Sequence, residues 1–513
     1  MRRIVSTVLS IALLVSMVCI VASAEDTATP VTMFYQTTRS TNEFTELTRK
    51  WIADNLGIDM VVYPGSASEW QQQLSFYVTS DEVPDIVAYM DVNTFRSYAA
   101  EGLWYDLTDL LDDYPNIAEY VSSQTTDPDS VWARCSVDGK VYGIPYMAGL
   151  PCKNLNVVRK DWLDNLGLSV PTTLDEFTEV LRAFTYDDPD GNGIDDTYGY
   201  GTCSKTRYLT TFFGPFGATE REDTILHDDG KLYTNVISDE YKAGLKYLHE
   251  LYAAGYISPD IFTKSETQMY EDWTRGSFGT VTWWWTNAGN AINRYGFFDE
   301  NPNGEMAFFD PIVGPDGLSG HHAEDDLTYV VAISAKSEHV EEALKLLDFE
   351  STYYGYQTVY LGVEGQFFTA DLDNNMLTWS WQVDNTDAYG NSINDMEYYK
   401  VLGNTSIQNQ ATLMLEDSDR NNILKEQVTR VYTAPVIRDV FVGLTTNEYA
   451  ALSAETTKYY TDYMIKFVIG EKDIDEEWDS YVQGYLDVGG EAIRQSLLEL
   501  YNANNGTNLV FGN

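Results

Sequence analysis

Between Val31 and Met90 the chain alternates short β-type runs with amphipathic helical ones, and this rhythm limits the possible folds more than any other feature. Val31 to Tyr35 is a β-rich run ending in the polar turn Gln36-Thr37-Thr38-Arg39. Asn42 to Asn55 sets Phe44, Leu47, Trp51 and Ile52 at helical spacing and stops near Gly57. Ile58 to Tyr63 reads as a second strand closed by Pro64-Gly65, Glu69 to Thr79 as a helix, and Asp85 to Met90 as a buried-type strand. A β-α-β-α-β order predicts a parallel sheet with helices on both faces. The pattern returns downstream, with helices over Leu174 to Phe184, Glu240 to Ala254 and Val340 to Phe349, and strands over Thr280 to Trp285 and Tyr329 to Ile333. Tyr- and Leu-rich helices follow from Thr446. No Pro/Gly linker separates these α/β units, so lobes woven together by chain crossovers are expected.

The length of 513 residues suits two or three domains. Asp and Glu total 79 against 32 Lys and Arg, a formal net charge of −47, which excludes nucleic acid and basic-patch docking on anionic lipid. Aromatic residues make up 14 % of the chain, with 12 Trp and 37 Tyr, which raises sugar binding as a function although a large core absorbs many rings.

Met1-Arg2-Arg3, the apolar stretch Ile4 to Val21 and the small residues Ala22-Ser23-Ala24 form a secretory leader over residues 1–24, so the protein is expected outside the cell or at its envelope. A lipid anchor at Cys19 is disfavoured, because Val18 stands where a small residue should precede the lipidated cysteine. Cys135, Cys152 and Cys203 remain, an odd number that allows at most one disulfide and leaves one thiol over.

Several motifs occur in a fixed order. Ser80-Asp81-Glu82-Val83-Pro84-Asp85-Ile86-Val87 is followed by Ala100-Glu101-Gly102-Leu103-Trp104-Tyr105-Asp106-Leu107-Thr108 and by Asp138-Gly139-Lys140-Val141-Tyr142-Gly143-Ile144-Pro145-Tyr146. Then come Arg159 to Leu168 with Pro171 to Phe177, the Gly362-Val363-Glu364-Gly365 element, and Lys466 to Gly470 with Trp478 to Val482. The series resembles the family 1 extracellular solute-binding proteins, the receptors of ABC importers. Taken alone, the motifs are structural punctuation: Gly139 and Gly143 bracket a short strand, and Thr173 with Glu176 makes a capping box. The resemblance implies a maltose-binding-protein-like α/β fold of two discontinuous lobes closing over a ligand. Lobe one would span 28–148 and 315–376, and lobe two 149–314 and 377–513. It also implies a monomeric receptor for a carbohydrate, expected to be an oligosaccharide, that delivers its ligand to a permease. A secreted glycoside hydrolase and a sensor for a membrane kinase are the alternatives.

Asp188-Pro189-Asp190-Gly191-Asn192-Gly193-Ile194-Asp195-Asp196 has the spacing of a calcium loop. Side-chain oxygens fall at positions 1, 3, 5 and 9 (Asp188, Asp190, Asn192, Asp196), the Ile194 carbonyl at 7 and glycine at 6. Gly199 stands where the bidentate Glu belongs. The resemblance implies structural calcium there, away from the ligand. Candidate ligand contacts are the run Trp283-Trp284-Trp285 at a strand end, with Trp70, Trp379 and Trp381. Polar candidates at strand ends are Gln36, Arg39, Asp91, Asn93 and Tyr146, with Glu364 in the family-like element. Arg207 and Arg438 would suit an acidic ligand, with salt bridges as the alternative in so acidic a chain. No G-x-S-x-G, H-E-x-x-H or Walker loop occurs, and His321-His322 reads as part of a loop.

Overall fold

The computed structural model describes residues 28–37, 40–41, 43–66, 69–125, 127–147, 149–366, 368–371, 376–379, 397–404, 409, 412–415 and 418–513. Residues 1–24, expected to form a leader and including Cys19, lie outside the described residues, as do Arg39 and Trp381. The chain opens as the rhythm predicts: β1 (Thr29–Gln36), α1 (Glu43–Leu56), β2 (Ile58–Gly65), α2 (Trp70–Ser80), β3 (Ile86–Met90) and α3 (Val92–Ala100). β1 pairs in parallel with β2 and with β3. A tight hairpin with Asp138 and Gly139 at φ 51° and 76° then leads into β4 (Gly143–Met147). The chain crosses to a second body containing β5 (Asn154–Arg159), β6 (Tyr198–Tyr200), β7 (Phe278–Trp284) and β8 (Met306–Phe309), and returns as β9 (Leu327–Ile333). The strand orders are β2-β1-β3-β9-β4 in the first sheet and β8-β5-β7-β6 in the second.

Neither sheet is wholly parallel, which corrects the expectation. β9 runs antiparallel to β3 and β4, and β5 runs antiparallel to β7 and β8. Helical crossovers force parallel pairing only between consecutive strands of one sheet. β9 arrives from the other body without such a helix, so its direction is free.

The first core gathers Val31, Ile86, Val330 and Leu344; the second body packs around Phe177, Leu245 and Phe467 and around Val157, Val281 and Trp273. Two segments pack otherwise than their place in the sequence suggests. His321–His322 is a buried strand, not a loop, and pairs in parallel with Val436–Ile437. Tyr398, Tyr399, Val401 and Leu402 pack into the first core, not the second. The buried Glu350 carboxyl group accepts from the Val401 and Leu402 N–H groups at 2.8 and 2.7 Å, and Tyr120 donates to the Gly403 carbonyl at 2.6 Å. Gly403 is required there, because a Cβ would lie 2.3 Å from the Tyr146 ring.

A buried charged group lies beside the return crossing. His322 Nδ1 sits 2.8 Å from Asp223, and Arg221 Nη1 faces His322 Nε2 at 3.1 Å. Burial pulls the His322 pKa down, but the Asp223 carboxylate outweighs it and holds it above the ordinary value. Burial, with Asp223 nearby, pushes Asp439 up to about 7. Glu222, which accepts from Tyr485 and Thr456, is raised by burial to about 7, and Glu350 to about 8. All three described cysteines are free and buried, and burial pushes the Cys135 and Cys152 thiols up to about 12.

Candidate functional site

The carboxyl ends of β1 and β3 and the first turn of α2 meet at one edge of the first sheet, the edge where ligands gather in α/β folds. Because β9 is antiparallel, its amino end reaches the same edge, with Tyr329 paired to Tyr146 of β4. A cavity of about 230 Å³ opens there, lined by Gln36, Trp70, Gln71, Gln72, Tyr89, Asp91 and Tyr329. Three residues expected from sequence, Gln36, Trp70 and Asp91, are thus brought together. Trp70 is 3 % exposed, stacks on Phe34 with ring centroids 6.0 Å apart, and its indole N–H has no partner among the described residues. Asp91 caps α3, accepting from the Thr94 N–H at 2.9 Å and the Thr94 hydroxyl at 2.7 Å.

Tyr89 is the centre of the aromatic wall. Its ring lies 5.0 Å from Tyr146, 5.4 Å from Tyr35 and 5.7 Å from Tyr329, and its hydroxyl donates to the Lys400 carbonyl at 3.0 Å. The backbone of Tyr89 has φ 63°, a left-handed conformation that is an outlier for a bulky residue and is typically kept where function demands it. Tyr89, Tyr329, Gln71 and Gln72 were not foreseen. Tyr146 stands behind the wall in contact with Tyr89 and Tyr329. Asn93 is exposed on α3 and does not line the cavity.

The tryptophan run lies in the second body. Trp283 is fully buried against Trp273, at 5.3 Å, and Trp285 is 9 % exposed in the same cluster, so neither offers a face to a ligand. β7 is central, with β5 on one side and β6 on the other, and its residues from Phe278 to Trp283 are all buried. Trp284 is half-buried and meets two cations, Arg207 at 4.5 Å and Lys153 at 5.4 Å from its ring centroid. Glu364 is half-buried in a bridge to Phe368, and Trp379 ends the strand Met376–Trp379 that pairs with Phe368–Asp371. Arg438 is exposed.

The Asp188 loop folds as a tight turn. Asp188 accepts from the Asn192 and Gly193 N–H groups, both at 3.0 Å, and Ile194 N–H donates to the Asn192 side chain at 2.7 Å. The Asn192 amide nitrogen bridges Asp190 at 2.8 Å and Asp196 at 3.4 Å, the kind of position a cation between those carboxylates would take. Burial, with Asp188 and Asp196 nearby, raises the Asp190 pKa. Among the described residues no three His, Cys, Asp or Glu side chains are already set as a metal cluster.

Residues 37–349 match the family model described as bacterial extracellular solute-binding protein. The chain belongs to that family. It is 27 % identical over 468 residues to the polygalacturonan/rhamnogalacturonan-binding protein YtcQ of Bacillus subtilis, covering 87 % of this chain and 86 % of the relative. Among solved structures, an HMO binding ABC-transporter associated solute-binding protein from Bifidobacterium longum infantis superposes with a TM-score of 0.71 at 20 % identity, covering 93 % of this chain and 99 % of that one. The EF-hand mutant of the Streptococcus pneumoniae ABC-transporter substrate-binding protein FusA, in complex with fructo-nystose, gives 0.70 at 18 % identity, covering 93 % and 100 %. The solute-binding-protein fold expected from the ordered motifs is therefore the fold of this chain. Among the described residues, no helix is long and apolar enough to cross a membrane.

Proposed function

We propose that this solute-binding protein captures an oligosaccharide between its lobes and delivers it to an ABC permease without cleaving it. The cavity at the edge of the first sheet carries the reading. Tyr89 and Tyr329 supply aromatic faces for sugar C–H surfaces, with the buried Trp70 behind them, while Gln36, Gln71 and Gln72 supply donors and acceptors, and Asp91 an acceptor, for hydroxyl groups. The carbohydrates named for the similar proteins, polygalacturonan/rhamnogalacturonan and fructo-nystose, support the same class. A glycosidase needs two carboxylates flanking the bond, and the cavity lining holds one, Asp91, already engaged by Thr94. Titration calorimetry against a glycan panel, paired with a reducing-end assay, should show binding without release of reducing ends. Sustained release well above a no-protein blank would favour the hydrolase.

The Asp188 loop would hold a structural calcium through Asp188, Asp190, Asn192, Asp196 and the Ile194 carbonyl. Its spacing supports this, and so does the amide that bridges two of its carboxylates. At a calcium concentration 100 times the dissociation constant, binding would stabilise the fold by about 2.7 kcal/mol. Chelator should therefore lower the melting temperature and added calcium restore it. An unchanged melting curve, with no ion found by elemental analysis, would make the loop a plain turn.

A further inference from the structure

We propose that the Arg207 guanidinium, seated on Trp284 at the crossover end of the second sheet, binds a carboxylate of the captured sugar, so that the ligand is a uronate-bearing oligosaccharide. This rests on the oligosaccharide reading above and specifies it. In a chain with 79 acids and 32 Lys and Arg, half-buried cations find carboxylates readily. Near the crossings, Lys153 pairs with Glu324 at 3.3 Å, Arg134 with Asp325 at 2.6 Å, and Lys205 with Glu266 at 2.5 Å. Arg207 is half-buried, yet no carboxylate of the described residues lies within ion-pairing distance of it. Among the described residues its buried Nε has no hydrogen-bond partner, and its one polar side-chain contact is a long one, Nη2 to the Tyr208 hydroxyl at 3.5 Å.

A guanidinium held this way is costly unless something anionic completes it. What holds it is aromatic: its carbon lies 4.5 Å from the Trp284 ring centroid and 5.1 Å from that of Tyr208. Two rings flank the guanidinium, and its planar fork can capture a carboxylate through two parallel hydrogen bonds.

The position suits the cleft. Trp284 pairs with Asn154 at the start of β5, and the Asn154 side chain donates to the Arg207 carbonyl at 3.2 Å. Lys153 precedes Asn154 and is tied to Glu324 of the return crossing, so Arg207 and Trp284 sit where the two crossings meet. Tyr146 lies near the end of β4, just before the chain leaves the first sheet. The net charge of −47 repels anions at long range, but salt screens this beyond about 8 Å, so a carboxylate needs a short-range cation of this kind.

The test titrates the secreted chain calorimetrically with galacturonate, glucuronate and mannuronate trisaccharides, each as free acid and as methyl ester, alongside fructo-, malto- and galacto-trisaccharides. The expected result is at least tenfold tighter binding of one free acid over its ester. Arg207→Gln should abolish that preference, while Arg207→Lys, which keeps the charge but loses the fork, should keep part of it. Equal affinity for acid and ester, or a preference that survives in Arg207→Gln, would overturn the proposal. Binding of neutral sugars alone would overturn this subsite and leave the receptor reading standing. Binding of no glycan at all would overturn both.

Discussion

Tyr89→Ala should weaken oligosaccharide binding at least about a hundredfold, a loss of about 2.8 kcal/mol. The ring touches Tyr35, Tyr146 and Tyr329 at once, so removing it takes away one face of the cavity and loosens the others. Its left-handed backbone at φ 63° costs on the order of 1–3 kcal/mol, which the fold sustains through the surrounding contacts and the hydroxyl bond to Lys400. Alanine inherits that strain and keeps none of the contacts, so some loss of stability is expected as well. Tyr89→Gly separates the two effects, because glycine adopts positive φ freely. It should fold better than the alanine variant and bind equally poorly. Asn93→Ala, exposed and outside the cavity, should stay within about twofold of the parent protein. Parent-like affinity in both Tyr89 variants would place the ligand elsewhere.

What the sequence revealed of this site, and what it hid, has a physical explanation. Gln36 and Asp91 were legible because polar residues at the ends of apolar runs mark strand ends, and strand ends border the cleft. Tyr89 was hidden inside such a run. Period-two reading makes it one more strand residue, and no local signal announces that a tyrosine adopts a left-handed backbone. Tyr329 was hidden because joining β3 to β9 is a pairing between residues more than 230 positions apart, which local periodicity does not encode. The tryptophan run is legible only in part. Alternation correctly separated Trp283 and Trp285 from Trp284, but in a central strand both faces are covered, and the exposed ring expected of a strand end is only half available. The packing of Tyr398 to Leu402 into the first core is hidden for a similar reason. It is held by backbone bonds from Glu350, Tyr89 and Tyr120, and such bonds leave no periodic trace.

The same buried groups make stability depend on pH in an unusual direction. The melting temperature should be highest near pH 5 and fall by several degrees by pH 8, measured with saturating calcium so that the Asp188 loop does not contribute. Burial raises Glu350 to about 8 from 4.5, Asp439 to about 7 from 3.8, and Glu222 to about 7 from 4.5. Between the unfolded and folded values the native state holds protons that the unfolded chain has released, so stability drops as pH rises, by up to about 1.4 kcal/mol per unit for each group. His322 acts in the same sense. Its raised pKa gives stability that is complete below its unfolded value and lost as pH climbs through the folded one. Asp223 works oppositely: His322 holds its pKa down, so its contribution is lost only as pH falls below the ordinary carboxylate range. Glu350→Gln isolates the largest contributor. Glutamine keeps a carbonyl to accept from the Val401 and Leu402 N–H groups but carries no charge to bury. The variant should match or exceed the parent's melting temperature at pH 8 and show a flatter decline from pH 5. A flat parent profile, or parallel curves for parent and variant, would mean that the buried Glu350 carboxyl does not change its proton over this range.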